Sequence, residues 1–507
     1  MRESRAVFLL FTGAVLFRVL HALIFAERFI VGNDLTQNII LGRKFASGNF
    51  YGVLDTYWTP LYPVLIGTLT FFIDSLTLPS RIISLVAGSL AVPVTFYLTR
   101  QSYGRGAAYI AAALALFFPH LINSSVFEVG TESVYLVLLV SALIVGWKAL
   151  CGDGVRYFFL TGVLVGLAYL TRPEGFGYLL FFSILIFAGS IWNKRPLALI
   201  SFKQFSALLL GFFILASPYL YYLKSETGRW TISGKTEANL AAGSFHENDM
   251  PSDEPDFYND TKGKLLAKTF FYNSIQIHKS LSVLLPVFLF LPIGLGLFGR
   301  VWKRRRLKRE AYLVSFCLLT FAGYAASVIQ TRYLFVLLPI VFGWIACGIL
   351  ELEKWFTRSA ENLIPEKADL VRRPKTFVVV CLILIYLYAL PLNYFVVRPD
   401  EPYEEREAGL WLKENSAGRT PVVFSARLLP VFYAEGKHVP PETKDIGEIF
   451  RAIGENKVEY IITGDRELVR NRYLEGFAER LQNSPEFELV YQKADKAGKR
   501  IWIFKVR

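Results

Sequence analysis

"WTPLYPVLIGTLTFFID", residues 58–74, is uncharged up to its last residue, and whether it crosses a membrane decides the topology of everything after it. The setting is clear from composition: 507 residues, 53% hydrophobic and 15% aromatic, with a mean hydropathy of +0.38. Such a chain is too apolar for a soluble enzyme and holds windows of about 18 to 20 residues with little or no charge. About eleven of these read as spans, at 6–26, 82–99, 106–123, 132–150, 157–171, 176–192, 205–222, 280–299, 311–329, 333–351 and 376–395. If 58–74 does not cross, the loops carrying Arg100 and Arg105, Lys148 and Arg156, Lys194 and Arg195, "GRVWKRRRLKRE" (299–310) and "VRRPK" (371–375) share a side with Arg2 and Arg5. The positive-inside rule makes that side the cytoplasm. If it crosses, the strongest basic loops face the same side as the C-terminal region and away from the N-terminus, which fits poorly. The stretch, with Pro60 and Pro63 in it, is therefore expected to be a re-entrant or interfacial helix pair packed against the spans.

The same frame accounts for the net charge of +13, an excess of Lys and Arg in cytoplasmic loops and not a nucleic-acid surface. Cys151, Cys317, Cys347 and Cys381 are scattered in or beside apolar segments and support neither a disulfide framework nor a metal cluster. The run from Ala6 to Ala26 is long for a signal-peptide core and lacks a small-residue cleavage site, so it reads as the first span.

The expected architecture is a polytopic α-helical membrane domain, 1–395, with an N-terminus on the cytoplasmic side, followed by a soluble α/β domain, 396–507, on the outer side. That outer side also receives a first loop (27–81), a long polar loop (223–278) and short loops near 124–131, 172–175 and 330–333. In the tail, "TPVVFSA" and "VEYIITG" read as strands, "DIGEIFRAIGENK" and "ELVRNRYLEGFAERLQNS" as helices, and "FELVYQKADKAGKRIWIFKV" as a closing hairpin.

The polar residues at membrane depth gather on the outer side, whereas a transporter would hold ionisable groups near its span centres. Arg18 is the exception, within the first span. Asp34 follows that span and reads either as a helix cap or as a functional acid. Glu128 and Glu132, four apart, would share a helical face at the mouth of the fourth span, where a first-turn acid is also favoured by the helix dipole. Arg172 and Arg332 end spans on the side where topology does not call for positive charge. Guanidinium groups there would suit a phosphate or snorkel to lipid headgroups, and Lys235 could add a point charge. Such a pocket suits a lipid-linked phosphate donor. His120, His246 and His278 are isolated and read as structural, and the acidic segment 246–260 reads as a solvated loop.

The order of motifs carries more than any one of them. An acid after the first span, "P-L-Y-P" (60–63), a rim "T-E" (131–132), "T-R-P-E-G" (171–175), "P-Y-L-Y-Y-L…T-G-R-W…S-G-K" (218–235) and "T-R-Y…P" (331–339) resemble bacterial glycosyltransferases of the GT-C fold. The family is the superfamily of protein O-mannosyltransferases and aminoarabinose transferases, and the resemblance covers about 30–350 and extends to the tail. Thr59, Asn38 and Gly42 depart from the family, where His, Tyr and Ala are common.

The resemblance implies transfer from a polyprenyl-phosphate sugar to a lipid, glycan or protein hydroxyl on the extracytoplasmic face of the cell's inner or plasma membrane, by inverting displacement. It makes Asp34 the base and Glu132 the second catalytic acid. Glu128, Arg172, Lys235, Arg332, Tyr333 and Tyr62 would bind substrate. Some members use a divalent metal ion, which Asp34 and Glu132 would hold; no other cofactor is implied, and no nucleic acid. The rival is a transporter or flippase of a lipid-linked glycan, which should line a path through the bilayer with polar residues.

Overall fold

A computed structural model describes residues 2–25, 29, 31–152, 154–192, 200–235, 262–299, 304–363, 376–390, 402–468, 471–495 and 498–507. The expected basic loop positions at 194–195 and 371–375, the loop 246–260 with His246, and part of the 299–310 run lie outside the described residues. Contacts divide the chain into two compact units, one of residues 1–26 and 38–395, the other of 27–37 and 396–507.

The first unit is helical: α1 (Arg2–Ile24), α2 (Asn33–Ala46, whose first residues belong to the other unit), α3 (Leu61–Thr70), α4 (Leu78–Tyr103), α5 (Arg105–Phe117), α6 (Pro119–Val126), α7 (Glu132–Cys151), α8 (Val155–Thr171), α9 (Gly175–Trp192) and α10 (Ile200–Thr227). It continues with α11 (Lys262–Leu284), α12 (Phe290–Phe298), α13 (Arg304–Ala325), α14 (Leu338–Leu363) and α15 (Thr376–Leu390). Among the described residues five helices are long and apolar enough to cross a membrane, or seven if two bent pairs each count as one span. This is a multi-pass membrane protein.

The decisive stretch forms only the ten-residue α3. At 1.5 Å per residue that is about 15 Å, half the hydrocarbon thickness, so α3 is too short to cross. Pro60 precedes it and Pro63 sits in its first turn, where a missing N–H costs nothing. Its buried face, Tyr62, Pro63, Ile66 and Gly67, packs down rather than facing lipid.

Two expected spans are broken. Residues 106–123 divide at Phe118–Pro119 with a 51° bend, and the helices flanking Pro286 meet at 89°. Proline removes a backbone donor and pushes its predecessor out of the α region, so hydropathy that reads as continuous is interrupted in direction.

Close packing of α8 on α10 places the end of α8. A methyl group at Gly162 would collide with the Leu208 carbonyl, and one at Gly211 with that of Phe159, so bare backbone faces bare backbone here. Gly162→Ala is expected to lower stability by about 1–3 kcal/mol through forced separation of the two helices. Thermal melting in lipid nanodiscs checks this, and an unchanged melting temperature would show that the helices slide apart freely.

The second unit is an α/β domain with sheet order β2-β1-β3-β5-β4. Its elements are α16 (Tyr403–Asn415), β1 (Val422–Phe424), α17 (Leu428–Tyr433), β2 (Lys437–Val439), α18 (Ile446–Glu455), β3 (Tyr460–Gly464), α19 (Asp465–Leu468), α20 (Phe477–Gln482), β4 (Phe487–Ala494) and β5 (Arg500–Val506). β2, β1 and β3 are parallel, and β5 is antiparallel to both β3 and β4. Both expected strands, the helix over 446–455 and the closing hairpin are present. The long helix expected over "ELVRNRYLEGFAERLQNS" is instead α19, a 3₁₀ turn and α20, because Gly476 takes φ +74° and starts a new helix. Val31 of segment 27–37 donates its N–H to Tyr433 Oη at 3.0 Å within this unit.

Candidate functional site

The loop ends of the first unit bring opposite charges together. α7 begins at Glu132, as a rim Thr-Glu pair predicts, and Glu132 is buried at 7% exposure. Glu128 lies in the loop between α6 and α7 and is exposed, so the two acids do not share a helical face: the chain from Phe127 to Thr131 is not helical. Arg172 ends α8 and donates from one terminal nitrogen to Glu132 Oε1 at 3.1 Å and from the other to Glu174 Oε1 at 3.2 Å. Arg332, at the start of the 3₁₀ turn 331–337, reaches the same Glu132 Oε1 with Nε at 3.4 Å and donates to Gln330 Oε1 at 2.8 Å. One carboxylate oxygen, Glu132 Oε1, is thus shared by the two guanidiniums and holds them side by side.

Aromatic rings fix the cations. The Arg172 guanidinium lies 4.2 Å from the Tyr333 ring centre, and Tyr333 stacks on Tyr324 at 5.4 Å. Lys235 sits 3.6 Å from the Trp58 ring centre and 4.0 Å from that of Tyr57. Two hydrogen bonds hold that segment: Gly234 N–H donates to Thr56 O at 2.9 Å, and the side-chain hydroxyl of Tyr169 to Ile232 O at 2.9 Å. Each such cation–ring contact contributes on the order of 1 kcal/mol.

The proline motif supports the rim from below. Tyr62 is fully buried and shares a 2.8 Å hydrogen bond with Ser84, whose hydroxyl donates to Gly130 O at 3.2 Å in the loop before Glu132. Thr59 donates to Thr171 O at 2.7 Å, beside Arg172.

Asp34 is exposed, in the first turn of α2, and belongs to the second unit. It lies inside the helix rather than at its cap, a position where the dipole favours an acid. Glu174 is the residue that the sequence reading misses; its signal is an acid two positions after a span-ending arginine. Burial disfavours the Glu174 carboxylate, yet Arg172 and, more weakly, Lys235 hold its pKa below the ordinary glutamate range.

Among the described residues no three His, Cys, Asp or Glu side chains are grouped to hold a metal ion. Of the two acids expected to hold a divalent ion, Glu132 gives its Oε1 to two guanidiniums. In the second unit, a cavity of about 10 Å³ lies at the carboxyl ends of β1 and β3, lined by Glu404, Glu405, Arg427, Arg466 and Glu467 among others. It has room for about one water and none for a substrate.

Residues 58–222 match the family described as dolichyl-phosphate-mannose-protein mannosyltransferase. In structure the chain is similar to ArnT from Cupriavidus metallidurans, solved bound to undecaprenyl phosphate, with a TM-score of 0.59, 14% identity, and coverage of 97% of this chain and 98% of that one. It is also similar to the oligosaccharyltransferase AglB from Archaeoglobus fulgidus, solved with an inhibitory peptide and dolichol-phosphate, with a TM-score of 0.51, 15% identity, and coverage of 99% and 74%. No curated protein matches. The fold is that of the GT-C glycosyltransferases, and the sequence match falls on the segment that builds α3 to α10.

Proposed function

We propose that this chain, a GT-C-fold glycosyltransferase of the protein mannosyltransferase and aminoarabinose transferase superfamily, moves a sugar from a polyprenyl-phosphate donor to an acceptor hydroxyl on the extracytoplasmic face. The observation that carries the reading is the string of alternating charges Arg332, Glu132, Arg172, Glu174 and Lys235 at loop ends of a membrane unit. The carboxylates keep the cations ordered in a partly dry site. The cations are what a lipid-linked phosphate needs as it departs.

In the proposed step the acceptor hydroxyl gives its proton to Asp34 while its oxygen forms a bond to the anomeric carbon. The bond from that carbon to the phosphate oxygen breaks, its electron pair leaves with the polyprenyl phosphate, and configuration inverts. Arg332, the more exposed of the two arginines at 35% of its side chain against 11%, meets the departing phosphate, assisted by Lys235. Arg172 is held from two sides and orders the rim. Asp34's role rests on its place after the first span and on the family resemblance.

The test is turnover of a panel of synthetic polyprenyl-phosphate sugars by the purified protein in nanodiscs, with acceptors ranging over lipid, glycan and peptide hydroxyls. Release of polyprenyl phosphate with transfer of the sugar supports the reading. Lipid-linked glycan moved across the bilayer without bond cleavage would replace it with the flippase.

A further inference from the structure

We propose that Tyr433 is a positioning residue: through it the second unit holds the segment 27–37, and with that segment Asp34, so that the α/β domain takes part in the transfer step by acting on Asp34 rather than on the substrate. In contacts the segment groups with residues 396–507, although in sequence it lies between α1 and the rest of α2, which belong to the first unit. Phe29 and Val31 are buried, as are Leu35 and Thr36 further on, while Asp34 between them is exposed. Val31 lies before the start of α2, and its N–H donates to Tyr433 Oη at 3.0 Å. A buried backbone N–H outside helix and strand needs a partner from elsewhere, and here the phenol hydroxyl supplies it.

Tyr433 is itself fixed by the core of its domain. It ends α17, whose Val431, with Ala434 just beyond, packs in one cluster with Val423 of β1, Ile462 of β3 and Ile501 and Ile503 of β5. α17 also lies directly on α16, since a methyl group at Gly409 would collide with Pro430 O and Tyr433 Cβ. The hydroxyl is thus presented from a packed element, which suits a group that must set a geometry. Between Val31 and Leu35 the chain is closed by Thr36, whose N–H and hydroxyl both go to Gly32 O, at 2.9 and 3.0 Å. With Val31 tied before it and Leu35 buried directly after it, Asp34 is carried on a fixed backbone with its carboxylate exposed. Its part in transfer rests on the function proposed above; the tie to Tyr433 does not.

Amide exchange of the full-length protein in nanodiscs, read by mass spectrometry on the peptide covering 29–36 and on the β3 peptide, tests this in wild type and Tyr433→Phe. That substitution keeps the ring and removes the hydroxyl. Exchange at Val31 is expected to quicken about tenfold, the effect of leaving a buried donor unpaired, with β3 unchanged. Equal exchange over 29–36 in the two proteins overturns the proposal. An equal acceleration of β3 overturns it too, since the effect would then be one of domain stability. Wild type alone gives a second measurement: if 29–36 exchanges as an unstructured chain does, the tie does not hold the segment and the proposal fails without any variant. In turnover of a polyprenyl-phosphate sugar, kcat of Tyr433→Phe should fall about 10- to 100-fold with KM for the donor within about twofold, because the base is displaced and the cations facing the donor are not. Faster exchange with an unchanged kcat would reduce Tyr433 to a structural tie and overturn its positioning role. If wild type transfers sugar from no donor, the proposed function fails, while the exchange rates still decide whether Tyr433 holds the segment.

Discussion

Asp34→Asn is expected to abolish glycosyl transfer, by about a factor of 100 to 10,000, with the melting temperature unchanged. The substitution keeps the size and polarity of the side chain and removes its capacity to take a proton from the acceptor. Asp34 is exposed and in the first turn of α2, where the helix-dipole part of the structural cost is about 0.3–1 kcal/mol. That is too small to unfold a chain whose α2 is anchored further along, where Leu41 and Gly42 are buried and Gly42 meets Ile66. Measured as initial rates with a turned-over donor, alongside melting in nanodiscs, the two quantities separate the base from a first-turn helix acid. Transfer at the wild-type rate would leave Asp34 with the second role alone. A loss of rate that parallels a loss of melting temperature would assign it to stability.

Much of this site could be read from the chain, and what could not has physical reasons. Arg172 and Arg332 stand out because a span end on the expected outer side has no topological need for positive charge. The proline stretch is legible because the basic loops fall on one side only if it does not cross. Glu174 hides behind Pro173, since an acid in a short loop before a helix looks like ordinary dipole complementation. The bend at Pro286 escapes for a related reason. A hydropathy window reports composition along a segment and carries no direction, so a right-angle turn inside an apolar run reads as one span. In the second unit the three-residue β2 is too short to show a period, and it is recognised through its parallel pairing with β1.

The second unit is expected to lose stability as pH rises from about 5 to 7, and Glu467→Gln to remove about half of that loss, the rest being due to Glu405. Glu467 is 4% exposed and hydrogen-bonded by Ser425 Oγ at 3.0 Å. Burial pushes its carboxyl up from 4.5 to about 7, against hydrogen bonds from Thr463 and Ser425 and the charge of Arg427, with Glu405 adding repulsion. Burial likewise pushes Glu405 up to about 7; Arg427 opposes this and the adjacent Glu404 adds to it. Arg466 is committed elsewhere, to Glu404 and to Asp495. In the folded domain each carboxyl keeps its proton to a higher pH than in the unfolded chain. The unfolded state therefore releases protons first, stability is full below about 4.5, declines through the interval up to 7 and is flat above it. For Glu467 the shift from 4.5 to about 7 corresponds to about 3 kcal/mol at pH 8. Glutamine keeps an acceptor for Ser425 and never ionises, so the variant should be more stable than wild type at pH 8 by up to that amount and close to it at pH 5. Hydrogen exchange of the β3 amides in the full-length protein reads this locally, across pH 5 to 8 and corrected for intrinsic rates. Slower exchange in Glu467→Gln at pH 8, converging at pH 5, is the expected pattern. Parallel curves displaced by a constant would mean that Glu467 is ionised throughout and that its hydrogen bonds with Thr463 and Ser425 and the charge of Arg427 outweigh the cost of burial.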